Sequence, residues 1–135
     1  MPAGVPALHA EACATKRDRV FPQLRERATR RNGENQNMPV PKLSDDELRL
    51  AVAGLPGWTV AAGKLHREYR FPDFVHAFGF MATSALAIEK MNHHPEWSNV
   101  YSRVTVDLIT HDSGGITAKD TALAAVLESI AGRML

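Results

Sequence analysis

Regular patterning of apolar and polar positions begins at Leu43, and from there the period switches repeatedly between that of a helix and that of a strand. Ser44 followed by Glu47 forms a capping box, in which the serine accepts from the amide three residues on and the glutamate reaches back. Leu43 and Leu48 stand where a hydrophobic staple would, and Leu48, Ala51, Val52 and Leu55 make one stripe before Gly54 and Pro56. A helix over Asp45–Ala53 is predicted. Trp58–Ala62 and Lys64–Phe71 flank Gly63 and read as an antiparallel hairpin. Leu65, Tyr69 and Phe71 share one face of its second strand, with His66, Glu68 and Arg70 on the other; Arg67 interrupts the apolar face, so partial exposure is expected there.

Pro72 and Asp73 open a second helix, whose buried stripe is read as Phe74, Phe78, Met81, Ala85 and Ile88. It must end near Asn92, because Pro95 biases His94 away from helical geometry. Asn99–Tyr101 is a short strand. Arg103–His111 alternates, with Val104, Val106 and Leu108 on one face and Thr105, Asp107, Ile109 and His111 on the other. Gly114 and Gly115 mark a turn, Thr117 caps a last helix, and Leu123, Val126, Leu127, Ile130 and Met134 form its stripe. The order α-β-β-α-β-β-α, with one-sided stripes beside alternating strands, predicts an α+β fold with helices packed on one face of an antiparallel sheet.

Composition alters this picture at the N-terminus. Residues 1–37 carry seven Lys/Arg against four Asp/Glu and few apolar side chains, whereas residues 38–135 carry nine against eleven. The first segment is therefore expected to be a disordered or loosely helical basic extension, functionally neutral, ahead of one domain over 38–135. Its acidic residues Glu11, Asp18, Glu26 and Glu34 speak against a transit peptide, and Met38 would itself make an ordinary start. The whole chain of 135 residues has a formal charge of +1, which gives no reason to expect nucleic acid or a membrane surface as partner. A lone cysteine, Cys13, leaves no intramolecular disulfide or multi-thiolate metal site. No apolar run approaches the roughly 20 residues of a membrane-spanning helix, and a cytoplasmic location is expected.

Candidate chemistry concentrates in three histidines, His93, His94 and His111. Histidine titrates near neutrality and so serves as both acid and base. His93 and His94 sit where the second helix must break, so a change of backbone there can bring both rings to one cleft; His111 ends a strand before a glycine turn, where such groups converge. Glu89 lies one turn before His93, able to orient it, although spacing alone favours an ordinary exposed pair. Three histidines also admit a catalytic zinc, but the adjacent His93 and His94 lack the four-residue separation that presents two ligands from one helix face. Asp120 closes a capping box with Thr117 and so has a structural task whatever else it does. Trp97 and Tyr101 offer stacking surfaces for a flat heterocycle, with core packing the commoner fate. His9, His66 and His76 show no partner pattern.

The run EKMNHHPEWSNVYSRVTVDLITHDSGGITAKDTALA, Glu89–Ala124, closely resembles the pterin-4a-carbinolamine dehydratase family: HHPEW, then NVY, then THD-GGIT-KD form a long ordered signature. The likeness extends upstream through LPGW at Leu55–Trp58 and covers about Leu43–Leu135, leaving the basic extension outside. It implies a four-stranded antiparallel sheet with three helices on one side, assembled as homodimers or homotetramers. It also implies removal of water from 4a-hydroxytetrahydrobiopterin to give quinonoid dihydropterin, without metal or redox cofactor, downstream of an aromatic amino-acid hydroxylase. Position by position, the family's active-site histidines fall on His93, His94 and His111. Pro95 belongs to the first pterin-contacting segment, and Thr110, His111, Asp112 and Ser113 to the second, where the Ser113 side chain stands at a variable position. Glu89 and Asp120 match supporting acidic positions. The resemblance admits a rival as well, a non-catalytic module of the same fold, since animal members of the family also act as dimerisation cofactors for a homeodomain transcription factor.

Overall fold

The structure is a computed structural model that describes residues 39–135, and the basic extension lies outside the described residues. Helix α1 spans Asp45–Ala53, strands β1 and β2 Thr59–Ala61 and Lys64–Arg70, and helix α2 Phe74–Met91. Strands β3 and β4 follow over Glu96–Val100 and Arg103–Leu108, then a 3₁₀ turn at His111–Ser113 and helix α3 over Ala118–Ala131. This is the α-β-β-α-β-β-α order read from the sequence. The four strands form one antiparallel sheet in the order β1-β2-β4-β3, with Tyr69 opposite Val104, Leu65 opposite Leu108 and Trp97 opposite Val106.

Capping explains where the helices start. Ser44 and Glu47 exchange the two hydrogen bonds of the box at α1, Asp73 accepts from the His76 amide at α2, and Thr117 with Asp120 closes the box at α3. The β1–β2 turn places Ala62 and Gly63 both at positive φ (51° and 75°), the requirement of a type I′ hairpin turn.

The inward face of the sheet is Leu65 and Tyr69 from β2 and Val104, Val106 and Leu108 from β4, all at most 1% exposed. Phe80 and Ile88 of α2 and Leu123 and Leu127 of α3 pack on it, and Tyr69, Phe71 and Phe80 form an aromatic cluster with ring centroids 4.9 to 6.0 Å apart. Helix α1 contributes only the half-buried Leu48 and Val52.

Four expectations need correction. The buried stripe of α2 is Ala77, Phe80, Ser84 and Ile88, whereas Phe74, Phe78 and Ala85 are exposed. The period was right and the phase was one residue off, because apolar residues lie on both sides of this helix. Strand β3 starts three residues earlier than expected and stops before Tyr101, which takes φ 53° in the β3–β4 turn; pairing with β4 recruits Glu96–Ser98 into the ladder. Strand β4 ends at Leu108 rather than at His111, since Thr110 leaves the ladder to bridge Gly115. Trp58, expected in the first strand, instead turns inward and is buried.

Candidate active site

Chain reversal at the end of α2 builds one wall of a cleft. Asn92 takes the left-handed conformation (φ 48°, ψ 44°) and caps α2, its amide bonding to the Glu89 and Ile88 carbonyls. The backbone therefore turns one residue ahead of His93, not at His94 as Pro95 alone suggested. His93, His94 and Asn92 line this wall; Ile109, Thr110, His111 and Asp112 from the end of β4, with Lys119 from the start of α3, line the rest. The cavity measures about 340 Å³, inside the range of small-molecule sites. A larger groove of about 500 Å³ between α1 and β1 is walled by Leu48, Val52, Ala53, Val60, Asp45 and Arg49, and holds no histidine.

His93 is the buried member of the trio. Its Nε2 lies 2.6 Å from Oδ1 of the fully buried Asp120. A carboxylate oxygen accepts, so Nε2 carries the hydrogen, and Nδ1 is left as the ring nitrogen with a lone pair. Oδ2 of Asp120 accepts from the Thr117 amide at 2.7 Å and from the Thr110 hydroxyl at 2.8 Å. Because Thr110 spends its proton on Asp120, the 2.8 Å contact between the two threonine hydroxyls must run from Thr117 to Thr110. The Lys119 amide completes the chain by donating to Thr117. Sequence alternation places Thr110 on the inward face after Val104, Val106 and Leu108, and its burial continues that face beyond the strand.

His94 and His111 are exposed. His94 Nε2 sits 3.0 Å from Glu89 Oε2, so Glu89 partners His94 and not His93, as the helical spacing suggested; the break at Asn92 rotates His93 away toward α3. His111 Nε2 meets Glu96 Oε1 at 3.1 Å, and the other oxygen of Glu96 accepts from Lys64 Nζ at 2.5 Å. The Lys64 hydrogen bond, then its charge and the His111 hydrogen bond, hold the Glu96 carboxyl below the usual carboxylate range against partial desolvation. Among the described residues no group of three His, Cys, Asp or Glu converges as metal ligands.

Not every expected contact reaches the cleft. Pro95 and Ser113 do not line it, and the Ser113 hydroxyl donates instead to the Val40 carbonyl at 2.5 Å. Trp97 packs against the core and Tyr101 is exposed, and neither lines the cleft. His66 and His76, which showed no partner pattern, bond Asp107 and Asp73 at 2.7 Å, and His9 lies outside the described residues. Asn92, Ile109, Lys119 and Glu96 escaped the sequence reading. Lys119 had a signal, being one residue before Asp120 at the opening of a helix, while Glu96 had none short of knowing the β3 register.

Comparison with known proteins converges on one family. The model for pterin 4 alpha carbinolamine dehydratase matches residues 41–130. A protein of Solibacter usitatus carrying the pterin-4-alpha-carbinolamine dehydratase name is 62% identical over 90 residues, 67% of this chain and 95% of that one. A protein of Rhizobium rhizogenes with the same name is 52% identical over 98 residues, 71% of this chain and 97% of that one. The crystal structure of a transcriptional coactivator/pterin dehydratase from Brucella melitensis is similar at a TM-score of 0.65 and 44% identity, covering 67% of this chain and 99% of that one. The chain belongs to the pterin-4-alpha-carbinolamine dehydratase family.

Proposed function

We propose that the protein is a hydro-lyase that dehydrates 4a-hydroxytetrahydrobiopterin, or a close pterin relative, to quinonoid dihydropterin and water by histidine acid–base catalysis. The reaction breaks the C4a–O bond, releases the hydroxyl as water after protonation, and removes the proton from N5 as the N5–C4a double bond forms. It needs an acid at the hydroxyl and a base at N5. The observation that carries the reading is the convergence of His93, His94 and His111 on one small cleft, each with its Nε2 on a carboxylate.

The three environments suit different tasks. His93, with Nε2–H fixed on Asp120, presents Nδ1 as a base, and the buried carboxylate stabilises the imidazolium that forms on proton uptake. His94 and His111, each solvated and beside a carboxylate, are the candidate acids for the departing hydroxyl. Thr110 and Asp112 offer polar groups for the pterin's amide edge. Glu89 and Asp120 are supporting residues, the first for His94 and the second for His93. Such chemistry requires no metal or redox cofactor, and it recycles the product of an aromatic amino-acid hydroxylase in the cytoplasm.

Stopped-flow dehydration of freshly generated 4a-hydroxytetrahydropterin tests the proposal. Acceleration by the purified protein is expected to be unchanged by a chelator. A well-folded protein that leaves the spontaneous rate unaltered would overturn it. That outcome favours the rival reading, an assembly or regulatory module, which one feature supports: α2 exposes Phe74, Val75, Phe78 and Leu86 (46%, 75%, 58% and 76%) on its side away from the core. The same face supports assembly as a homodimer or homotetramer in either case.

A further inference from the structure

Glu96 stands apart from the cleft-lining residues and touches one of them. It opens β3 on the outer face of the sheet, opposite Asp107 of β4, and its two carboxylate oxygens serve two different cations or potential cations. Oε2 takes Lys64, which begins β2 on the same face, and Oε1 takes His111 Nε2. The three side chains are 29%, 49% and 72% exposed in the order Lys64, Glu96, His111, so the arrangement runs from the sheet outward to the cleft mouth. A single hydrogen bond to a carboxylate that is itself anchored converts a solvent-exposed imidazole on a 3₁₀ turn into an oriented one.

We propose that Glu96, anchored and charge-balanced by Lys64, is the positioning residue that orients His111 and sets the pH range over which that imidazole serves the dehydration. The proposal rests on the reading of His111 as a participating group. Glu96 places a negative charge at contact distance from the ring, and Lys64 places a positive one a carboxylate further away. The remaining ionisable groups around His111 are Asp112 on its own turn, Lys119 from α3, and His93 and His94 from the end of α2. On the sheet face His66 and Asp107 pair with each other at 2.7 Å, which leaves Lys64 as the cation that answers Glu96.

Two substitutions separate charge from placement. Glu96→Gln keeps an oxygen for the His111 N–H and removes the charge, whereas Glu96→Ala removes both. Lys64→Met leaves Glu96 in place with its charge unbalanced. Proton NMR titration of the His111 ring, assigned with His111→Asn, is expected to move to lower pH in Glu96→Gln and to higher pH in Lys64→Met. Both shifts should shrink as salt is added, given the exposure of the groups. The corresponding limb of the kcat–pH profile should move in the same two directions. At the optimum, Glu96→Gln should retain kcat within about twofold, and Glu96→Ala should lose about five- to tenfold in kcat with little change in KM, a range below that of the acid–base group itself. A merely structural role would lower stability without moving the two variants in opposite directions. Unmoved His111 titration in both variants overturns the proposal outright. Shifted titration with an unmoved rate profile, in a protein whose His111→Asn variant is fully active, overturns instead the reading of His111 on which it rests.

Discussion

A His93→Gln, His111→Ala double variant is expected to lose the protein-dependent dehydration entirely and return the rate to that of buffer. Each acid–base group is worth roughly 10²–10⁴-fold, and the double variant removes the candidate base together with one of the two candidate acids. Neither single variant need be silent, since three imidazoles face the cleft and the substrate also dehydrates unaided. The choice of glutamine at position 93 follows from burial. Alanine there would leave Oδ1 of the fully buried Asp120 without its donor, at a cost of about 1–3 kcal/mol, and would confound chemistry with folding. The Gln side-chain amide reaches as far as His Nε2 and can donate in its place, but has no basic nitrogen. His111 is exposed, so alanine suffices. Full activity in the double variant, with a native circular dichroism spectrum, would refute histidine acid–base catalysis.

How much of this was written in the chain depends on whether the information is local. The capping boxes at Ser44–Glu47 and Thr117–Asp120 are four-residue events and were legible residue by residue. So were the inward face of β4 and the break after α2, which follow from alternation and from Pro95. The phase of α2 was not legible, because Phe74 and Phe78 compete with Ala77 and Phe80 for the core at the same period, and only the neighbours decide. At the site, the three histidines stood out by type, but their carboxylate partners did not. Asp120 meets His93 across 27 residues and Glu96 meets His111 across 15, separations that neither helical nor strand spacing encodes. Glu89 was tied to the wrong histidine for the same reason: an ideal helix was extended past the point where Asn92 ends it.

The partial exposure expected where Arg67 interrupts the β2 apolar face is present, but the hydrogen-bond network it joins was not legible, and that network sets up the largest stability effect. Arg67 lies half-buried, with its guanidinium 4.9 Å from the centre of the Tyr69 ring. Its Nε donates at 3.1 Å to Oε1 of Glu128 on α3, and the same oxygen accepts from Trp58 Nε1 at 2.9 Å and from the Tyr69 hydroxyl at 2.8 Å. One carboxylate oxygen thus ties α3 to β2 and to the segment before β1. Gly57, at φ 80°, lies so close that a Cβ there would come 1.7 Å from an Arg67 nitrogen, which explains why the guanidinium needs a glycine above it. Glu128→Ala strands three donors at once and should cost about 3 kcal/mol, discounted for partial exposure from the range for breaking a buried pair. In a domain of this size that lowers Tm by about 12 °C or more. Glu128→Gln keeps the shared oxygen and should cost about 1 kcal/mol, and a thermal melt resolves the two. Alkali gives an independent reading of the same cluster. Burial first, then the hydrogen bond to Glu128 and its charge, push the Tyr69 hydroxyl above its usual range despite Arg67. A group whose proton is held more tightly in the folded state contributes stability that is whole below its unfolded pKa of about 10 and declines as pH rises beyond it. Wild-type stability should therefore fall above about pH 10, and Tyr69→Phe should remove that part of the decline. If Glu128→Ala melted within a degree or two of wild type, the shared oxygen would not be what joins α3 to the sheet.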